Sequence, residues 1–148
     1  MNNESLSYLA GIIDGEGTIT LNGRGIHSTP QLQIANINID LIDWIRTNFN
    51  GVVRLDTINN KWQRQTVYKW YCYGKEAIET IQKVFPWLII KRKQSLIIFD
   101  WEILKLPPNN GTKEGHRNSI SHEEKLRRVM LINEIRVLNK RGRKVNKV

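Results

Sequence analysis

A carboxylate set between two glycines, Gly15-Glu16-Gly17, follows the largely apolar run Leu9-Ala10-Gly11-Ile12-Ile13-Asp14 close to the N-terminus. The spacing predicts a helix with Tyr8, Leu9, Ile12 and Ile13 as an apolar stripe. Ser7, Gly11 and Gly15 form an opposite stripe of small residues, where another backbone can approach closely. Gly15 suits the turn that ends such a helix. Glu16 then projects from the helix end, where partial negative charge makes an acid unfavourable unless a cation joins it. The chemistry indicated is divalent-metal binding.

Other chemistries fit these residues poorly. An EF-hand loop starting at Asp14 needs a glutamate at its twelfth position, where Gly25 stands. A dinucleotide fingerprint needs glycine three residues after Gly17, where Thr20 stands. Cys72 is the single cysteine, which excludes an internal disulfide and a cysteine-rich zinc site. Its neighbours Trp70, Tyr71 and Tyr73 favour a small buried side chain over a catalytic thiol. His27, His116 and His122 share no helical ligand spacing with an acid or another histidine and read as surface residues.

The elements that position Glu16 come from periodicity. From Thr18 to Arg24 polar and apolar residues alternate, with Thr18, Thr20, Asn22 and Arg24 on one side and Ile19 and Leu21 on the other. Turn residues fill 23–30, and Gln31 to Ala35 predicts a second strand with Gln31 and Gln33 facing together over Leu32 and Ile34. An amphipathic helix follows, capped by Asn38, with Leu41, Ile42, Ile45 and Phe49 as its stripe. Two further strands, Val52 to Asp56 and Thr66 to Tyr73, are expected to flank a polar loop, Asn59 to Arg64. Arg54, Asp56, Lys69 and Tyr71 then share one face. Helices are expected over Lys75–Phe85, broken by Pro86, over Lys93–Leu106 and from Ser121 to Leu138, before a basic tail.

The order predicts an α+β domain: a four-stranded antiparallel sheet with helices on one face, residues 1–106, and a C-terminal loop, helix and tail, 107–148, packed on it. The uncovered sheet face carries Thr, Asn, Gln, Arg and Lys. These are base-reading side chains, and they equally suit a solvated face. Composition favours the former: 148 residues carry 23 Lys and Arg against 14 Asp and Glu, a net +9, which suits a polyanion. A basic membrane-surface protein is the competing reading. No stretch approaches the ~20 apolar residues of a membrane span, and the start, Met1-Asn2-Asn3-Glu4, has no signal core, so an intracellular protein is expected.

The nine residues Leu9 to Gly17, with the strands, helices and lysine segment that follow, resemble the single-motif LAGLIDADG homing endonucleases over roughly residues 5 to 106. The resemblance implies an αββαββα unit, working as a homodimer, that cleaves double-stranded DNA at a long pseudo-palindromic target and leaves 3′ overhangs. Motif helices would meet through Ser7, Ala10, Gly11 and Asp14. Asp14 points away from Glu16 and is expected to hydrogen-bond backbone or the partner helix. The two Glu16 carboxylates, with the Gly15 carbonyl, would hold Mg²⁺, with Mn²⁺ or Ca²⁺ able to substitute for binding. Glu16 stands where aspartate is commoner in the family.

Lys91, in Pro86-Trp87-Leu88-Ile89-Ile90-Lys91, matches the family's lysine that stabilises phosphate charge; otherwise it is a surface lysine of the run Lys91-Arg92-Lys93. Asn36 falls where relatives often carry a glutamine that orders solvent near the metal, and otherwise caps the next helix. DNA contacts would come from Thr18, Thr20, Asn22, Arg24, Gln31, Gln33, Arg54, Asp56, Lys69 and Tyr71, with Lys61 and Arg64 of the polar loop. An intron reading frame in a prokaryote, chloroplast or mitochondrion fits the length. Two other functions use the same surface: an RNA maturase acting on intron RNA, and a non-cleaving DNA-binding regulator.

Overall fold

Helix α1 (Asn3–Glu16) begins where the Asn2 side chain accepts the Ser5 N–H at 3.0 Å. In the computed structural model, residues 2–60, 63–104 and 120–140 are described, with the side chains of 57–60 and 63–64 left aside. Leu6, Leu9, Ala10 and Ile13 form the buried side of α1. Three expectations about this helix need correction. Tyr8 is 55% exposed and Ile12 only partly buried at the margin of the core, so both border the small-residue groove. Ala10 is fully buried in its own core and cannot lie on an open interface stripe. Gly15 does not end the helix: Glu16 is its last residue, and Gly17 turns the chain into extended backbone. Gly17 is there for space, since a Cβ would fall 2.7 Å from the Ile13 carbonyl oxygen.

The chain continues as β1 (Gly17–Asn22), a short 3₁₀ turn (Gly25–His27), β2 (Thr29–Asn36), α2 (Ile39–Asn48), β3 (Val52–Asn60) and β4 (Gln63–Tyr73). Then come α3 (Gly74–Val84), a 3₁₀ turn (Phe85–Trp87), α4 (Arg92–Ile103) and α5 (His122–Leu138). The sheet is antiparallel throughout, in the order β1-β2-β4-β3. Alternation divides each strand between two environments. Ile19, Leu21, Leu32, Ile34, Trp70 and Cys72 point into the core beneath the helices, with Ile42, Ile45, Ile81, Ile98 and Trp101 opposing them. Asn38 caps α2 by accepting the Leu41 N–H at 3.2 Å, and Ser121 caps α5 by accepting the Glu124 N–H at 3.1 Å.

Two boundaries differ from the sequence reading for physical reasons. Arg24 lies beyond β1, ahead of the 3₁₀ turn, because the chain leaves the strand at Gly23, whose φ of 139° suits glycine. The expected polar loop 59–64 is mostly strand: Asn59 pairs with Arg64 and Asn60 with Gln63, leaving a two-residue connection outside the described residues. Helix α5 packs Leu131, Ile132 and Ile135 into the common core. Arg128 ties it down, donating to Glu124 Oε1 at 2.8 Å, the Leu104 carbonyl at 2.9 Å and the Ile26 carbonyl at 3.3 Å.

Candidate functional site

Glu16 is exposed at the end of α1, beside the start of the sheet. The Asn36 side-chain amide, at the end of β2, donates to Glu16 Oε2. Its oxygen accepts the Asn38 N–H at 2.8 Å. Asn36 is therefore fixed at both ends and orients the carboxylate, while the cap of α2 is left to Asn38.

Asp14 gathers the backbone of a distant segment. Its carboxylate accepts the N–H groups of Ile89 at 2.7 Å, Ile90 at 3.1 Å and Lys91 at 2.9 Å. Pro86 has ended the preceding helical run there, so these amides, ahead of α4, need an acceptor. The consequence is that α1 positions Lys91 as well as Glu16. Asp14 thus hydrogen-bonds backbone of its own chain, the first of the two kinds of partner expected of it.

Glu16 and Lys91 line one open cavity of about 480 Å³ with Gly15, Thr18, Asn139 and Lys140. Asn139 donates to the Ile19 carbonyl at 2.9 Å on the edge of β1, which brings the end of α5 to this place. Sequence reasoning missed Asn139 and Lys140, assigning the latter to the basic tail. A contact spanning 120 residues leaves no periodic signal. Residues 141–148 lie outside the described residues.

The donors fit a hard divalent cation in part. Glu16 supplies a carboxylate, and the last carbonyls of α1, Gly15 among them, are the ones a helix leaves without intrahelical partners. Among the described residues no group of three His, Cys, Asp or Glu side chains comes together to hold a metal. One carboxylate and one carbonyl are too few for a six-coordinate cation, so an ion held here would take its remaining ligands from water, phosphate oxygens or a second copy.

On the outer sheet face the register sets Thr18 beside Gln33, Tyr71 and Val52, Thr20 beside Gln31 and Tyr73, and Ala35 beside Lys69 and Arg54. Tyr71 and Tyr73 stack with an interplanar angle of 7°, and the Arg54 guanidinium lies 5.5 Å from the Tyr71 ring centre. Lys69 Nζ meets Asp56 Oδ2 at 2.5 Å, a hydrogen bond that raises the ammonium pKa. Gln31 is not presented as expected: it is 6% exposed, packed between Thr20 and Tyr73, and its Nε2 donates to Gln33 Oε1 at 3.4 Å. Arg64 falls at a register position of the opposite parity to Lys69, and Lys61 lies outside the described residues. Asn22 is exposed at the end of β1.

The open side of α1 forms an apolar groove of about 370 Å³ lined by Ser7, Tyr8, Gly11, Ile12, Gly15 and Leu41. A Cβ placed on Gly11 or Gly15 would meet nothing within 4 Å. This chain's own packing does not require either glycine.

A motif helix whose end meets an uncovered antiparallel sheet, in the element order αββαββα, defines the LAGLIDADG homing-endonuclease fold, and this chain has that fold. It is similar to the homing endonuclease I-CvuI solved in complex with its target in the presence of Ca, with a TM-score of 0.64 and 19% identity over 95% of this chain and 85% of that one. The archaeal intron-encoded homing endonuclease I-Vdi141I, complexed with DNA, gives a TM-score of 0.65 at 17% identity, over 95% and 87%. The LAGLIDADG meganuclease I-AabMI, bound to uncleaved DNA, gives 0.50 at 18% identity, over 71% and 38%. No protein-family model and no curated protein matches the chain.

Proposed function

We propose that this protein is a site-specific double-strand DNA endonuclease of the LAGLIDADG homing type, working as a homodimer with a divalent cation, Mg²⁺ by preference. The observation that carries this is the shared cavity of Glu16 and Lys91 at one end of an uncovered polar sheet face. Similar structures solved in complex with DNA support the same reading.

In the reaction a water oxygen bonds to phosphorus as the bond to the 3′ oxygen breaks, leaving a 3′ hydroxyl and a 5′ phosphate. Glu16 and the Gly15 carbonyl are the residues that would hold the cation, which when bound activates water and stabilises the leaving oxygen. Asn36 keeps the Glu16 carboxylate in one orientation. Lys91 places an ammonium in the same cavity, suited to the charge that builds on the phosphate. Asp14 holds the backbone that carries it. Arg54, Gln33, Thr18 and Thr20 offer hydrogen-bonding groups to base edges, and Tyr71 braces Arg54.

The second copy follows from α1. Glycine within a helix costs about 1 kcal/mol relative to alanine. Two such glycines beside an apolar groove, with nothing in the chain crowding either, suit close approach of another α1. The two Glu16 residues would then meet and each add a carboxylate to a shared site, and the target would be pseudo-palindromic. Among the described residues no helix is long and apolar enough to cross a membrane.

The test is a library of randomised palindromic duplexes incubated with the protein and Mg²⁺, with the ends sequenced. Expected are discrete double-strand cuts with 3′ overhangs at one family of related sites. Selective binding without cutting would replace this reading by a DNA-binding regulator.

A further inference from the structure

Helix α5 holds β1 and the turn that follows it at two points. Beyond its C-terminus Asn139 donates to the Ile19 carbonyl at 2.9 Å, near the Glu16 end of the strand. In its second turn Arg128 donates to the Ile26 carbonyl at 3.3 Å, within the 3₁₀ turn (Gly25–His27) that joins β1 to β2. β1 is an edge strand paired only with β2, so its free edge has no sheet neighbour to set its course. The turn needs fixing more, because Gly23 at φ 139° and Gly25 at φ 55° take up conformations that glycine adopts at little cost and can leave as readily. Within it, Ser28 donates from its N–H and its hydroxyl to the Gly25 carbonyl, at 3.1 and 2.7 Å. Among the described residues, Arg128 makes the one hydrogen bond that ties this turn to a helix.

Arg128 suits this work and not the capture of a ligand. It is 7% exposed, and its guanidinium is shared among Glu124 Oε1, at 2.8 and 3.1 Å, the Leu104 carbonyl at 2.9 Å and the Ile26 carbonyl. The Trp101 ring centre lies 4.9 Å from its Cζ. Glu124 answers its charge, which leaves little to attract a phosphate. The planar fork lets one side chain reach acceptors on α5, just after α4 and in the turn together, a geometry that lysine lacks. Arg24, by contrast, is exposed at the start of the turn that Arg128 fixes. The length of β1, at ~3.4 Å per residue, puts this turn about 20 Å from Glu16, the rise of about six base pairs.

We propose that Arg128 is a positioning residue for target readout: by holding the β1–β2 turn against the helical layer, it fixes where Arg24 meets the outer base pairs of each half-site. Selectivity at those pairs then depends on a buried side chain that touches no DNA. The proposal rests on the endonuclease reading above, because that reading is what lays β1 along the duplex.

The experiment uses the target recovered by library selection and derivatives of it altered at outer or at inner base pairs. Arg128→Lys keeps the charge and loses the fork. Arg128→Met keeps an unbranched stem against Trp101 and serves where a buried ammonium prevents folding. Binding in Ca²⁺ gives the discrimination at each position, and thermal melts show which variants are folded. Both are expected to lose outer discrimination by about tenfold, while inner discrimination, and cutting in Mg²⁺ at saturating protein, stay as in the wild type. Arg24→Ala should lose the same outer discrimination, and adding Arg128→Lys to it should remove no more, since the two act on one contact. A merely structural Arg128 weakens outer and inner readout alike. That result, outer discrimination retained in a folded Arg128 variant or in Arg24→Ala, or failure of both Arg128 variants to fold, overturns the proposal and leaves the endonuclease reading in place. If the wild-type chain selects no DNA at all, the endonuclease reading falls and this assignment with it.

Discussion

Asp14 and Glu16 are two residues apart, and the structure gives them different work. Asp14 turns into the chain and organises three amides, whereas Glu16 turns out to the cavity. The sequence identifies both as acids on one helix end, but Asp14's partners lie 75 to 77 residues away and are invisible to local pattern. Asp14→Asn keeps the shape while bringing an amide N–H against backbone N–H donors. It is expected to lower stability by about 1–3 kcal/mol, and to slow cleavage on the order of 10²-fold by displacing Lys91. DNA affinity should stay near the wild-type value; cleavage rates and filter binding on the same target check this, and an unchanged rate would remove Asp14 as a positioning residue.

Cys72 gives a second prediction at this scale. Burial pushes its thiol up to about 11, with the Thr80 hydrogen bond opposing more weakly. The unfolded thiol loses its proton at a lower pH, near the ordinary value of 9.0. This contribution to stability is therefore complete below that value and is lost as pH rises toward 11, at up to about 1.4 kcal/mol per pH unit. Denaturant midpoints of the wild type against Cys72→Ala across this range test the slope. Iodoacetamide at pH 8 should label the native chain far more slowly than the unfolded one.

At the level of elements, alternation made β1 and β2 legible because one sheet face is buried and the other is not. The far end of the β3–β4 pair was illegible because Asn59, Asn60, Gln63 and Arg64 are polar without alternation and read as loop. Gln31 sits on the open face as its position dictates, yet Tyr73 and Thr20 cover it, and side-chain size on neighbouring strands is not written in one strand's period. Gly51 shows the same dependence on a distant partner. It adopts φ 155°, and a Cβ there would collide with the Trp70 ring and with the Tyr71 carbonyl at 2.6 Å. Gly51→Ala is expected to destabilise the fold by about 1–3 kcal/mol, read from urea melts. A neutral result would mean that β3 shifts freely against β4.

For the whole molecule, the proposed centre requires a second copy, because one chain offers a single candidate carboxylate and leaves a groove along α1. Gly11→Ala separates the chain's own stability from its association. With open space around its Cβ, alanine should stabilise the isolated chain by up to about 1 kcal/mol and weaken self-association, by thermal melts in dilute solution and sedimentation equilibrium. Association undiminished in this variant would place the dimer contact elsewhere. The motif helix pointed to such a pairing from sequence through Gly11 and Gly15, whereas the burial of Ala10 required the fold. Whether Glu16 belongs to a DNA-cutting centre is decided by comparing wild type with Glu16→Gln on the selected target in Mg²⁺, following binding and cutting together. The variant is expected to bind within a few-fold of wild type and not to cut; cutting that persists in Glu16→Gln would remove Glu16 from the centre.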